Sequence, residues 1–214
     1  MEAFTFSPPE PLNCTIIDSS GRSLYTIRPP NNLMGVPNLS SRVVNKISES
    51  NVEECIAEVS HHTLFKNSFK FMGEDIKGLK WQDGRRTMQF VAPWDSKTYS
   101  WSISDDGKEF KLRENSESSV LAPQEIAIFQ QGKRTELSDS LKPTLFILPE
   151  RRVLDGVIAT FVYFSKMLRE QAKKSPVKIG ERIVKGFTLP GAQYTAAGLS
   201  DSSMAEYSMP ETKK

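Results

Sequence analysis

The stretch Val153-Leu154-Asp155-Gly156-Val157-Ile158-Ala159-Thr160-Phe161-Val162-Tyr163-Phe164 decides the fold. It lies inside a helical segment, Arg151 to Gln171, and is apolar on nearly every face. A surface helix keeps one polar face, so this one has to be enclosed, either by the rest of the chain or by lipid. Spanning a bilayer takes about 20 apolar residues, whereas Asp155 and Lys166 bracket a shorter run here. Ionisable groups are costly at depth in a membrane, so no transmembrane span is expected and the helix is read as a protein core. Gly156 agrees with that, because a glycine within a helix costs about 1 kcal/mol relative to alanine and is better explained by close backbone packing.

The material to surround the helix lies upstream. Residues 10 to 148 are dominated by short period-two segments separated by turn residues, the signature of antiparallel strands with one buried face. In Thr98-Tyr99-Ser100-Trp101-Ser102-Ile103 the large apolar side chains fall at 99, 101 and 103, the turn Asp105-Asp106-Gly107 follows, and Phe110 and Leu112 alternate with Lys111 and Arg113 on the return. That spacing predicts a hairpin with Trp101 buried. Cys14 to Asp18, the turn Ser19-Ser20-Gly21 and Leu24 to Ile27 predict a second one. Further strands are expected at Arg42 to Ile47, Cys55 to Ser60, Phe65 to Met72, Thr87 to Val91, Glu125 to Phe129 and Thr144 to Leu148. Many short strands without alternating helices favour a closed barrel or sandwich over an α/β sheet. The expected fold is mainly β, a closed antiparallel barrel around the buried C-terminal helix, with a barrel domain over 1–172 and a mobile polar tail over 173–214.

Composition narrows the function classes. The chain has 214 residues, with 28 Lys plus Arg against 26 Asp plus Glu, a net +2 that gives no bulk argument for nucleic acid. The mean hydropathy of -0.41 is ordinary for a globular protein carrying polar segments. Residues 1–10 show neither the basic start nor the apolar run of a secretory signal, so a cytoplasmic location, with peripheral attachment to membrane, is the expectation. Cys14 and Cys55 read as packed thiols.

The order of elements resembles the tubby C-terminal barrel and its relatives, the phospholipid scramblases and the LURP-one-related proteins. More closely, it is similar to an uncharacterised fungal family of small tubby-like barrel proteins. The residues that carry this are Asp18 to Ile27, Ile56-Ala57-Glu58-Val59, Tyr99-Ser100-Trp101 and above all Leu154 to Phe164. The resemblance spans roughly residues 10 to 171 and implies a helix threading a twelve-stranded barrel. It does not fix an activity, since one fold hosts many functions.

No catalytic signature accompanies the fold: there is no nucleophile elbow, no His-Glu-x-x-His and no Cys-x-x-Cys, and Gly132-Lys133-Arg134 lacks the remaining residues of a phosphate loop. His61 and His62 are adjacent on a predicted strand end, where neighbouring side chains point to opposite faces and cannot share a metal. No cofactor and no metal is expected. Asp155 is expected to be a structural ion-pair partner of Arg151 or Arg152, favoured also by the helix dipole. The remaining candidates are cationic. Lys66, Lys70, Lys77, Lys80, Arg85 and Arg86 form a candidate anion or lipid-headgroup surface, although lysines on strand faces also serve to keep edges soluble. Lys173 and Lys174 extend it, in a segment from Lys166 to Arg182 that holds six positive against two negative residues. Trp94, after Pro93, is expected as an exposed contact residue of a loop. The functional expectation is therefore a non-enzymatic binding module for anionic phospholipid surfaces or a protein partner. A membrane-associated scramblase-like protein and an enzyme of unrecognised type are the alternatives.

Overall fold

The computed structural model describes residues 1–32, 34–60, 67–76, 79–82, 86–115, 124–132, 142–149 and 151–174. The chain forms β1 (Glu2–Ser7), β2 (Cys14–Ile17), β3 (Ser23–Arg28), β4 (Ser41–Ile47), β5 (Glu53–Ser60), β6 (Ser68–Phe71) and β7 (Glu74–Asp75). It continues with β8 (Lys80–Gln82), β9 (Thr87–Val91), β10 (Thr98–Ile103), β11 (Glu109–Glu114), β12 (Glu125–Gln130), β13 (Thr144–Ile147) and the helix α1 (Arg151–Lys174). The helix runs further than the sequence predicts: Lys173 and Lys174, assigned there to the tail, are its last residues.

Both predicted hairpins form. In β10–β11, Trp101 stands opposite Leu112 and Ile103 opposite Phe110, with Gly107 at φ +73° in the turn, a backbone conformation in which glycine carries no Cβ penalty. In β2–β3 the turn is held by Asp18 Oδ1, which accepts from the amides of Ser20 and Arg22, both at 2.9 Å. Tertiary pairing adds β1, where Phe4 and Phe6 are buried and the strand is clasped between β2 and β13.

All strands belong to one antiparallel sheet in the order β7-β6-β5-β4-β3-β2-β1-β13-β12-β11-β10-β9-β8. Two meanders are thus joined by the β1–β13 ladder, and the two edges are β7 and β8. Laid flat at about 4.8 Å per strand, those edges would lie about 58 Å apart. Yet β7 and β8 are consecutive in the chain, and the five Cα steps from Asp75 to Lys80 reach at most about 19 Å at 3.8 Å each. The sheet must therefore curl round on itself.

The helix fills the space that the curl creates. Phe161 packs on Phe6 of β1, Phe129 of β12, Phe110 of β11 and Trp101 of β10, with ring centroids 5.6, 4.7, 6.3 and 5.8 Å away. Tyr163 stacks on Phe69 of β6 at 4.8 Å, and Phe164 meets Trp81 of β8 at 5.7 Å. Partners come from both meanders and from strands close to both edges, so every side of α1 is covered, and all residues from Val157 to Phe164 are buried. Within that run, Thr160 accepts from Trp101 Nε1 at 3.1 Å and donates back to the carbonyl of Gly156 at 2.9 Å.

The expected closed barrel needs a correction. Among the described residues no ladder joins β7 to β8; the sheet wraps the helix without closing by hydrogen bonds. With two and three residues, the edge strands are too short to sustain one. The expected close packing at Gly156 is present, and its neighbour is Trp94. A Cβ at position 156 would stand 2.0 Å from Trp94 Cζ3 and 2.1 Å from Cε3. Trp94 is accordingly half-buried, between Phe71, Phe90 and Tyr99, not the exposed loop residue expected from Pro93. Overpacking of this kind costs about 1–3 kcal/mol. Gly156→Ala is thus expected to lower unfolding stability by that amount in urea titration, and Trp94→Leu in the same chain to recover part of the loss.

Candidate functional site

The helix gives the molecule two distinct ends. In its early turns Gly156 meets Trp94, and Asp155 meets Tyr25 and Lys46; near its end Arg169 Nη1 reaches Glu10 Oε1 at 3.1 Å and Met167 Sδ reaches Asn67. Following the antiparallel strands from these contacts assigns the described connections. The turns 18–22, 48–52, 72–73 and 92–97 lie at the amino end of α1, and the connections 8–13, 29–40 and 104–108 at its carboxy end.

At the amino end, Tyr25 Oη donates to Asp155 Oδ1 at 2.5 Å and Lys46 Nζ to Oδ2 at 2.8 Å. Tyr25 and Lys46 face each other across the β3–β4 ladder, so the sheet presents both groups to the helix together. Compensation for Asp155 thus comes from the sheet, and the residue stands a full turn inside the helix rather than in the first turn expected for it, beyond the reach of the dipole argument. The side chains of Arg151 and Arg152 lie outside the description. Nothing local in the sequence points to Tyr25 or Lys46, which are 130 and 109 positions away. Burial, then the hydrogen bond to the Asp155 carboxylate, pushes the Tyr25 phenol well above its ordinary range. Burial, then the bond to Asp95, does the same for Tyr99, and burial alone raises Tyr163.

Of the cationic candidates, Lys66, Lys77 and Arg85 lie outside the described residues. Lys70, exposed on β6, stands opposite Glu58 on one side and Asp75 on the other, so its charge is offset across both ladders. Lys80 on β8 faces Gln89. Arg86 is half-buried in left-handed backbone with φ +48° at the start of β9, at the carboxy end of the helix. Lys173 and Lys174 occupy the last turn of α1 at that same end, where cations are favoured by the unpaired helix carbonyls.

That carboxy end also holds a buried arginine that the sequence does not single out. Arg42, 8% exposed, donates Nε to the carbonyl of Leu12 at 2.6 Å and Nη1 to those of Leu39 and Ser41 at 2.9 and 2.6 Å. It ties the connections 8–13 and 29–40 together. Burial is the largest influence lowering its pKa, followed by the nearby positive charge of Arg169, against which Glu10 and Glu170 act in the opposite sense. Charge is divided between the ends. Asp18, Glu49 and Asp95, with Glu74 beside them, outnumber Arg22 and Lys97 at the amino end, whereas Arg42, Arg86, Lys108, Lys166 and Arg169 stand at the carboxy end with Glu10, Asp105, Asp106 and Glu170.

Among the described residues no three His, Cys, Asp or Glu side chains cluster as a metal site. His61 and His62 lie outside the described residues. Cys14 is buried, which pushes its thiol up, while Cys55 is exposed. No described helix is long and apolar enough to cross a membrane.

These features define a β-sheet protein with a filled interior and two ends of unlike charge. Residues 9–170 match the model described as "Family of unknown function (DUF6593)", and the chain belongs to that family. The matched span begins after β1 and ends in the last turns of α1. No curated protein and no solved structure matches the chain.

A phenol with a raised folded pKa holds its proton to higher pH in the fold than in the unfolded chain. Its contribution to stability is complete below the unfolded value of about 10 and declines as pH rises through and beyond it. Tyr25, Tyr99 and Tyr163 all shift in that direction. Urea midpoints measured from pH 8 upward are therefore expected to fall beyond about pH 10, and Tyr25→Phe to make that fall shallower.

Proposed function

We propose that the chain is a non-enzymatic, tubby-like binding barrel that docks on anionic phospholipid surfaces through the carboxy end of its helix. The observation that carries this reading is the filled interior. Trp101, Phe110, Phe161 and Phe164 close the space inside the sheet, so a ligand is met on the outer surface, and there the division of charge favours an anionic one. Each Lys or Arg held near an anionic membrane contributes about 1 kcal/mol. The same packing speaks against the scramblase-like alternative in its helix-inserted form, because the only greasy helix described is already surrounded by strands.

The tubby likeness carries a topological corollary. Twelve antiparallel steps separate β7 from β8, an even number, so the two point the same way. Joined by residues 76–79, they act in this reading as two halves of one interrupted strand, the first pairing with β6 and the second with β9. The ring then counts twelve strands.

The test is co-sedimentation of the detergent-free protein with vesicles containing or lacking phosphoinositides, at low and moderate salt. Binding is expected only to anionic vesicles and is expected to weaken with salt. Replacing Arg85, Arg86, Lys173 and Lys174 by glutamine is expected to lower the partition coefficient about tenfold or more. Replacing Lys70, which is flanked by Glu58 and Asp75, is expected to change it little. Binding that ignores the fourfold replacement contradicts the reading.

A further inference from the structure

The connection between β3 and β4 is unlike any other described part of the surface. Every described residue from Asn31 to Ser40 is exposed, yet three of them are large and apolar: Met34 at 88%, Val36 at 55% and Leu39 at 71%. An apolar loop free to move would fold its side chains back onto the body. This one is held out by its backbone.

The tip is a closed hydrogen-bonded unit. Asn32 donates its amide to the carbonyl of Val36 at 2.8 Å, Gly35 donates to Asn32 at 2.9 Å, and Asn38 donates to Pro30 at 2.7 Å. The Asn32 side chain accepts from the amides of Met34 and Val36, both at 2.9 Å. Gly35 supplies the left-handed residue of the turn, at φ +75°. Pro29, Pro30 and Pro37 have no amide hydrogen to offer. Of the six described amides from Asn31 to Asn38, those of Asn32, Met34, Gly35, Val36 and Asn38 are therefore bonded within the loop. Its base is anchored by Arg42, which binds the Leu39 carbonyl.

Satisfied backbone donors matter most where water is scarce, since an unpaired amide costs several kcal/mol in an apolar phase. The exposed turns 18–22 and 48–52 are bonded in the same way, so this satisfaction permits entry into an apolar phase, and the three exposed apolar side chains are what set the loop apart. Charge does not oppose such a setting. From Pro29 to Ser41 the chain has no Asp or Glu; Arg28, which precedes it, is paired with Glu53, and Arg42, which follows it, is buried against the carbonyls of Leu12, Leu39 and Ser41.

We infer that the described residues of 31–39 form a preformed membrane-insertion tip, with Met34, Val36 and Leu39 entering the headgroup–acyl boundary of an anionic bilayer while the cations at the end of α1 meet the headgroups. The inference rests on the proposed phospholipid-surface function and names the element that enters the lipid. Apolar burial at the boundary adds to electrostatic attraction in such binding. A tip that inserts also predicts retained binding at salt concentrations that would release a purely electrostatic contact.

The experiment uses the full chain carrying Cys55→Ser, in which Cys14 is buried, with Met34→Cys labelled by nitrobenzoxadiazole. A control carries the label at Ser50→Cys, in an amino-end turn. With phosphatidylcholine vesicles containing phosphatidylserine and phosphatidylinositol bisphosphate, emission at position 34 is expected to brighten and shift to the blue, and emission at position 50 to stay unchanged. The exposed double variant Met34→Asp with Leu39→Asp is expected to bind these vesicles about tenfold or more weakly. Sedimentation of the protein with vesicles without a change at position 34 overturns the insertion tip and leaves the surface-docking function standing. No sedimentation overturns both. A blue shift at position 34 that grows with protein concentration in the absence of vesicles overturns the inference in favour of contact between copies of the chain.

Discussion

Everything in this fold follows from the need to cover an apolar helix on all sides. Val157 to Phe164 present large side chains around the full circumference, and burying each such group contributes about 1.5–3 kcal/mol. A flat sheet covers one side of a helix; a sheet of this width, whose two edges are linked by four residues, covers all of them. Phe161 and Phe164 are the centre of that packing, touching β1 of one meander and β8, β10, β11 and β12 of the other. The Thr160 hydroxyl at the middle of the run is matched by the Trp101 indole. Because a well-packed core resists even one extra methyl group, the flat indole of Trp94 and the bare backbone of Gly156 are one feature viewed from two sides.

The same constraint directs attention away from the interior when function is considered. Small β-barrels that carry a ligand inside leave a cavity there; here the helix occupies it. What remains is the outer surface, and the helix orders that surface too by fixing two ends. One end carries the Asp155–Tyr25–Lys46 arrangement and most of the acidic turns, and the other carries Arg42, Arg169 and the last helical turn. The net charge of +2 conceals this division, which no composition summary could display because it depends on which strand ends meet.

The helix, both hairpins and most strands are legible in the sequence because period-two alternation and a fully apolar helical run are local signals. The burial of Trp101 and the tight approach at Gly156 follow from the same local logic. The elements that are not legible depend on distance. β7 and β8, of two and three residues, have no room for a period, and Glu2–Ser7 carries its alternation at Phe4 and Phe6 but is recognisable as a strand only once β2 and β13 flank it. The partner of Asp155 is a pair on two different strands, and Trp94 is half-buried against a helix some sixty residues on. Among the candidate cations, Lys70 reads as part of a basic face until the register puts Glu58 and Asp75 beside it.

The central claim, that α1 is the core around which the sheet is built, is tested most directly by native-state amide hydrogen exchange. The account predicts that the amides of residues 157–165 are among the slowest in the molecule, exchanging only through global unfolding and with the same free energy as the central strands β10 to β12. Exchange of the helix through a cheaper local opening, while those strands stay protected, would contradict it and mean that the sheet stands without its helix.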